Sequence, residues 1–180
     1  MTVDSATKNK DETEEGLMQT FVRQLAIATL IVAAILWGNP ASVPGADPLI
    51  GTWKLDPAKS KYSPGPPSKS ITVRFEATGE GIKVTSDVVS ASDKASHTEY
   101  TGNYDGKDYP INGAETGADT VSLKRIDAHT TERIDKKSGK VVMTFTRKVS
   151  RDGKRLTVTI KGTNPQGQRV NNVVVFVKQP

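Results

Sequence analysis

From Leu49 to the C-terminus, short β-branched and aromatic runs alternate with turn residues, and no stretch holds an apolar face at the helical period of 3.6. Alternation at period two is the mark of strands with one buried face. It predicts strands at 50–55, 70–77, 81–89, 96–104, 107–112, 119–126, 130–135, 140–149, 154–162 and 170–178. The intervals carry turn chemistry: Gly79 to Gly81, Asp93-Lys94, Asp105-Gly106, Ser138-Gly139, Asp152-Gly153 and Gln166-Gly167. Few connections are long enough to cross a sheet, so the strands follow one another as a meander. A sandwich and a barrel would both accommodate them, but closure leaves no unpaired edge. The expected fold is all-β, an antiparallel up-and-down barrel of about 8–10 strands.

One hairpin is specified in detail. A two-residue turn at Asp152-Gly153 sets Val149 opposite Leu156, Arg147 opposite Val158 and Phe145 opposite Ile160. The other face then pairs Lys148 with Thr157, Thr146 with Thr159 and Thr144 with Lys161. Apolar meets apolar and polar meets polar, with Arg147 the single charge on the inward face.

The N-terminal part has a different character. Residues 1–17 are rich in acids and lysines with almost nothing apolar, and read as a disordered polar extension. An uninterrupted apolar run of thirteen residues follows from Leu25 to Trp37, with Arg23 before it and Gly38, Asn39, Pro40 and small residues after it. As a helix it would span about 20 Å, short of a bilayer core of about 30 Å, so residues 18–46 read as a cleaved signal peptide. Cleavage sites after Ala41, Gly45 and Ala46 all fit, and an uncleaved N-terminal anchor is the competing reading. The acidic preamble is wrong for a signal, which suggests a start at Met18. The expectation is export to the periplasm or beyond from a bacterial cell, leaving residues 47–180 as the β-barrel domain.

The absence of cysteine removes disulfides, thiolate metal sites and cysteine nucleophiles. From residue 120 to the C-terminus there are 14 basic and 4 acidic residues, against 8 basic and 11 acidic from 46 to 119. Such an imbalance draws anionic lipid, phosphate or an acidic partner when it gathers on one face, and otherwise is a set of solvated strand faces.

The run Gly51-Thr52-Trp53-Lys54-Leu55 stands on the first strand of this meander. It resembles the Gly-x-Trp opening of the calycin group, the lipocalins and the fatty-acid-binding proteins, and is especially similar to the latter. Residues 49–179 also resemble a family of small exported bacterial lipocalin-like proteins of unassigned function, through the stretches Trp53 to Pro66, Tyr104 to Pro110 and Lys161 to Asn164. The resemblance implies that Trp53 plugs the closed end of a barrel. Fatty-acid-binding proteins carry a helical lid after the first strand. Here the segment from Asp56 to Lys69 holds Pro64, Pro66 and Pro67, so a short stiff loop or an open mouth is expected instead.

An inward guanidinium needs an anionic or aromatic partner, which makes Arg147 the leading binding residue. Interior arginines of calycins imply an anchor for a ligand carboxylate or phosphate; stacking on Trp53 or snorkelling to the rim is the competing structural reading. Tyr100 and Tyr104 share a strand face with Gly102 between them, and could line a cavity with Phe75, Phe145 and Phe176. Core packing explains these aromatics equally well. The candidate pocket is Trp53, Phe75, Tyr100, Tyr104, Phe145 and Arg147.

His97 with Glu99 and His129 with Asp127 each form a same-face pair, but their strands are not expected neighbours and a metal site is not expected. No nucleophile elbow, phosphate-binding glycine loop or zinc-helix motif occurs, so neither enzymatic activity nor a cofactor is expected. The basic strands carry no interleaved aromatics, which argues against single-stranded nucleic acid. The expected function is that of an exported, monomeric or weakly associating barrel binding a small apolar or amphipathic molecule, anions included. The alternative is attachment of the basic half to an anionic envelope surface or a partner protein.

Overall fold

The computed structural model describes residues 47–114 and 116–180. The expectations for 1–17 and 18–46 lie outside the described residues. Ten strands follow in order: β1 (Gly51–Leu55), β2 (Ser70–Thr78), β3 (Gly81–Val89), β4 (Ala95–Asn103), β5 (Asp105–Asn112), β6 (Thr120–Arg125), β7 (Thr130–Lys137), β8 (Lys140–Val149), β9 (Arg155–Thr163) and β10 (Arg169–Lys178). Each pairs antiparallel with its sequence neighbour, and β1 pairs with β10 to close the barrel. This closed antiparallel meander is consistent with a calycin-like fold.

The β8–β9 register is the expected one: Val149 opposes Leu156, Arg147 opposes Val158 and Phe145 opposes Ile160. The turn differs from the two-residue form. The Ser150 N–H donates to the Arg155 carbonyl and the Gly153 N–H to the Ser150 carbonyl, so the loop spans Arg151 to Lys154. The Asp152 carboxylate accepts from the Ser150 hydroxyl and the Lys154 N–H, which favours the wider turn. Register survives because the longer loop adds one residue to each side of the same centre.

Closure needs help at one place, because β1 is five residues long and β10 ten. Beyond Leu55 the chain makes a single 3-10 turn at Pro57–Lys59 and then runs along β10. Lys61 exchanges both backbone hydrogen bonds with Val173, and the Asn171 N–H donates to the Ser63 carbonyl. The proline-containing segment thus covers the edge β1 leaves open. As the sequence led us to expect, no helix pair stands here.

Burial grades along the barrel axis. At the end where β2 turns into β3 and β8 into β9, Leu49, Trp53, Ile82, Leu123 and Leu156 are fully buried. This floor is further tied by the Trp53 indole N–H, which donates to the Leu49 carbonyl at 2.8 Å. The Lys178 ammonium lies 5.2 Å from the Trp53 ring centre and donates to the Pro48 carbonyl. Toward the opposite end, inward residues such as Ile71, Val73, Phe145 and Ile160 are only half-buried. The floor is packed and the upper half is not.

Candidate functional site

The unfilled half holds a cavity of about 270 Å³. Its wall is mostly aliphatic and aromatic, including Val73, Phe75, Phe145, Val158 and Phe176, and its upper rim includes Thr116, Asn164 and Pro165. Strands β7 and β8 bring the charged groups. Residues two apart on a strand share a face, so Arg133 and Asp135 both point inward from β7, and Arg147 from β8. Among the described residues these are the buried charged side chains.

Arg133 and Asp135 form a tight ion pair, with Nε to Oδ1 at 2.5 Å and Nη2 to Oδ2 at 2.7 Å. The Thr116 hydroxyl donates to the same Oδ2 at 2.8 Å, tying the β5–β6 loop to this pair. The Arg133 guanidinium also lies between aromatic rings, 4.4 Å from the centre of Phe145 and 4.9 Å from that of Tyr100. Burial disfavours its charge, but Tyr100 and Asp135 outweigh the burial and hold its pKa above the ordinary arginine value.

Arg147 is arranged differently. Its Nη2 donates to the Tyr100 hydroxyl at 2.7 Å, and its guanidinium lies 5.3 Å from the Phe75 ring centre. Among the described residues it has no carboxylate partner, and its Nη1 is buried without a hydrogen-bond partner. The opposing β7 residue, Thr131, also has a buried hydroxyl without a partner. Because β8 runs from the mouth toward the floor, Arg147 stands deep in the cavity, with Phe145 and Met143 above it.

The six candidate residues therefore divide. Phe75, Phe145 and Arg147 line the cavity. Tyr100 is drawn in through its bond to Arg147. Trp53 is the floor plug and does not line the cavity. Arg147 stacks on Phe75 rather than on Trp53.

Tyr104 lies past the end of β4, and its ring packs beneath the Arg125 guanidinium at 4.4 Å, away from the cavity. Arg125 is itself paired with Asp47. Burial, helped by the charge of Asp47, pushes the Tyr104 hydroxyl up to about 12 despite Arg147 and Arg125. The space beside Gly102 is taken by the Tyr109 ring, which a Cβ on Gly102 would meet at 2.9 Å.

The histidines stand elsewhere. His97 bonds Asp87 at 2.7 Å on the exterior rather than joining Glu99, which pairs with Lys83. The Asp127 carboxylate accepts from the backbone N–H of His129 in the β6–β7 turn.

Arg133 and Asp135 were not singled out from sequence. The signal was present but inverted: on β7 Arg133 and Asp135 face inward and Ile134 faces outward. Pairing Leu123 with Arg133 and Val121 with Asp135 places both charges beside buried residues of β6. Among the described residues no cluster of three or more metal-ligating side chains occurs. No protein-family model matches this chain, and no curated protein matches it.

Proposed function

We propose that this protein binds a small amphipathic anion inside the barrel, headgroup down at Arg147 and apolar tail toward the mouth, and that it acts as a binder rather than an enzyme. The observation that carries this reading is the buried Arg147 guanidinium, without a carboxylate partner and with an unpartnered Nη1 among the described residues, deep in a mostly apolar cavity. A buried charge without a counter-ion is costly, and a ligand anion would remove that cost. The cavity of about 270 Å³ opens at one end and suits a short or medium chain running from Arg147 to the mouth. Export belongs to the same reading and rests on the apolar run from Leu25 to Trp37. A monomer is favoured because the closed sheet offers no free edge.

The test is native mass spectrometry of protein purified without detergent, followed by calorimetry with octanoate and octylamine. Octanoate is expected to bind and octylamine to fail. In Arg147→Met, octanoate affinity is expected to fall at least about tenfold, the scale of a lost charge-assisted bond. Equal binding of both ligands, or unchanged affinity in the variant, overturns the reading.

One observation favours a second reading. The outer wall formed by β8, β9, β10 and β1 contains no acidic residue, while Lys54, Lys148, Arg155, Lys161 and Arg169 are exposed on it. Such a wall suits an anionic envelope surface. Binding to anionic vesicles that weakens with added salt and with charge reversal at Lys148 and Lys161 would support it; salt-insensitive binding would exclude it.

A further inference from the structure

We infer that the cavity selects ligands carrying a single negative charge, and that Asp135 sets this limit. The inference rests on the ligand-binding reading above. Among the described residues the barrel interior holds two guanidinium groups, Arg133 and Arg147, and one carboxylate, Asp135. Both Asp135 oxygens are committed, one to Arg133 Nε, the other to Arg133 Nη2 and the Thr116 hydroxyl. The positive charge of Arg133 is therefore cancelled within the protein. Arg147 is bound to a phenol hydroxyl, and Tyr100 as a phenol brings no charge.

Among the described residues the interior thus offers one uncompensated positive charge, on Arg147, whose unpartnered Nη1 faces the strand position of the equally unpartnered Thr131 hydroxyl. A monoanion at that donor leaves the interior neutral. A dianion leaves a net negative charge in a low-dielectric interior that already holds the Asp135 carboxylate, and its own desolvation costs more than that of a monoanion. Arg133 cannot turn to meet the second charge freely, because its guanidinium is fixed between Phe145 and Tyr100 as well as by Asp135. With Asp135 neutral, the same interior would offer two positive charges and favour the dianion.

The experiment compares octanesulfonate, a monoanion at all working pH values, with octyl phosphate, whose second ionisation lies near pH 6. Binding of each to the full chain is measured by calorimetry at pH 5 and pH 8. The charged groups facing the cavity are Arg133 and Asp135 from β7 and Arg147 from β8, with Tyr100 from β4 and Thr116 from the β5–β6 loop beside them. No histidine lines the wall among the described residues. Octanesulfonate reports any change in the protein itself.

Octyl phosphate is expected to bind at least about fivefold more weakly at pH 8 than at pH 5, with octanesulfonate changing less than about twofold. Octyl phosphate binding as well or better at pH 8 overturns the inference while leaving the ligand-binding reading in place. Failure of both ligands to bind overturns both. Asp135→Asn should reverse the preference toward the dianion. Should that variant not fold, Arg133→Met combined with Asp135→Asn removes the pair as a unit and should keep the monoanion preference; a dianion preference there overturns the inference.

Discussion

The phenol of Tyr100 and the guanidinium of Arg147, 47 residues apart in the chain, meet inside the barrel at 2.7 Å. This bond joins β4 to β8 across the interior, since the two strands are not neighbours in the sheet. Arg147 makes its side-chain hydrogen bond with this hydroxyl alone among the described residues. Tyr100→Phe should destabilise the fold by about 1–3 kcal/mol, because it leaves a buried charged donor unsatisfied. Urea denaturation measures this as a lower midpoint with an unchanged slope.

Arg147→Met should act with the opposite sign. It removes the buried charge itself and fills much of the same volume with apolar atoms, a change that is often neutral or stabilising by about 1–4 kcal/mol for buried ion pairs. A midpoint equal to or above that of the parent protein, together with the loss of octanoate binding, is the expected combination. A large loss of stability would mean that Arg147 holds the fold rather than a ligand.

Gly162 on β9 cannot accept a side chain without movement of the neighbouring strand. Its φ is +156°, and a Cβ there would run into the Val142 carbonyl and approach the Met143 Cα and sulfur. The obstacle is largely backbone, so no rotamer change relieves it. Gly162→Ala should cost about 3 kcal/mol, at the upper end of overpacking, and appear as a fall in Tm. Gly139, whose φ is also positive but whose added Cβ would meet nothing, separates the contribution of backbone conformation from that of the collision.

Stability should fall in strong alkali. The unfolded chain releases the Tyr104 proton near pH 10, whereas the folded protein holds it to about 12, chiefly because of burial. Between those values the folded state binds more protons than the unfolded one, so unfolding becomes easier as pH rises. Ultraviolet absorbance should show Tyr62 and Tyr104 ionising above the ordinary tyrosine range, since burial raises both. Tyr104→Phe should flatten the decline in stability from pH 10 to 12; an unaltered slope would assign the decline elsewhere.

The sequence by itself determined the ten strands, their meander order and the faces of residues 144–149 on β8 and 156–161 on β9. Alternation is local, and one turn fixes a hairpin register through the period of two, so even the mistaken turn at Asp152-Gly153 left Arg147 facing inward. The partner of that arginine was not legible. Whether it meets Trp53, Phe75 or Tyr100 depends on how the closed sheet is staggered, and that stagger is a property of all ten pairings together. The same holds for Tyr104, which the strand pattern set beside Tyr100 but which the end of β4 places beneath Arg125. Asp135 shows the limit most clearly: its inward charge breaks the alternation that identifies strands, and only the barrel brings Arg133 and Thr116 to it. Local pattern sets which way a side chain points, and closure sets what it meets.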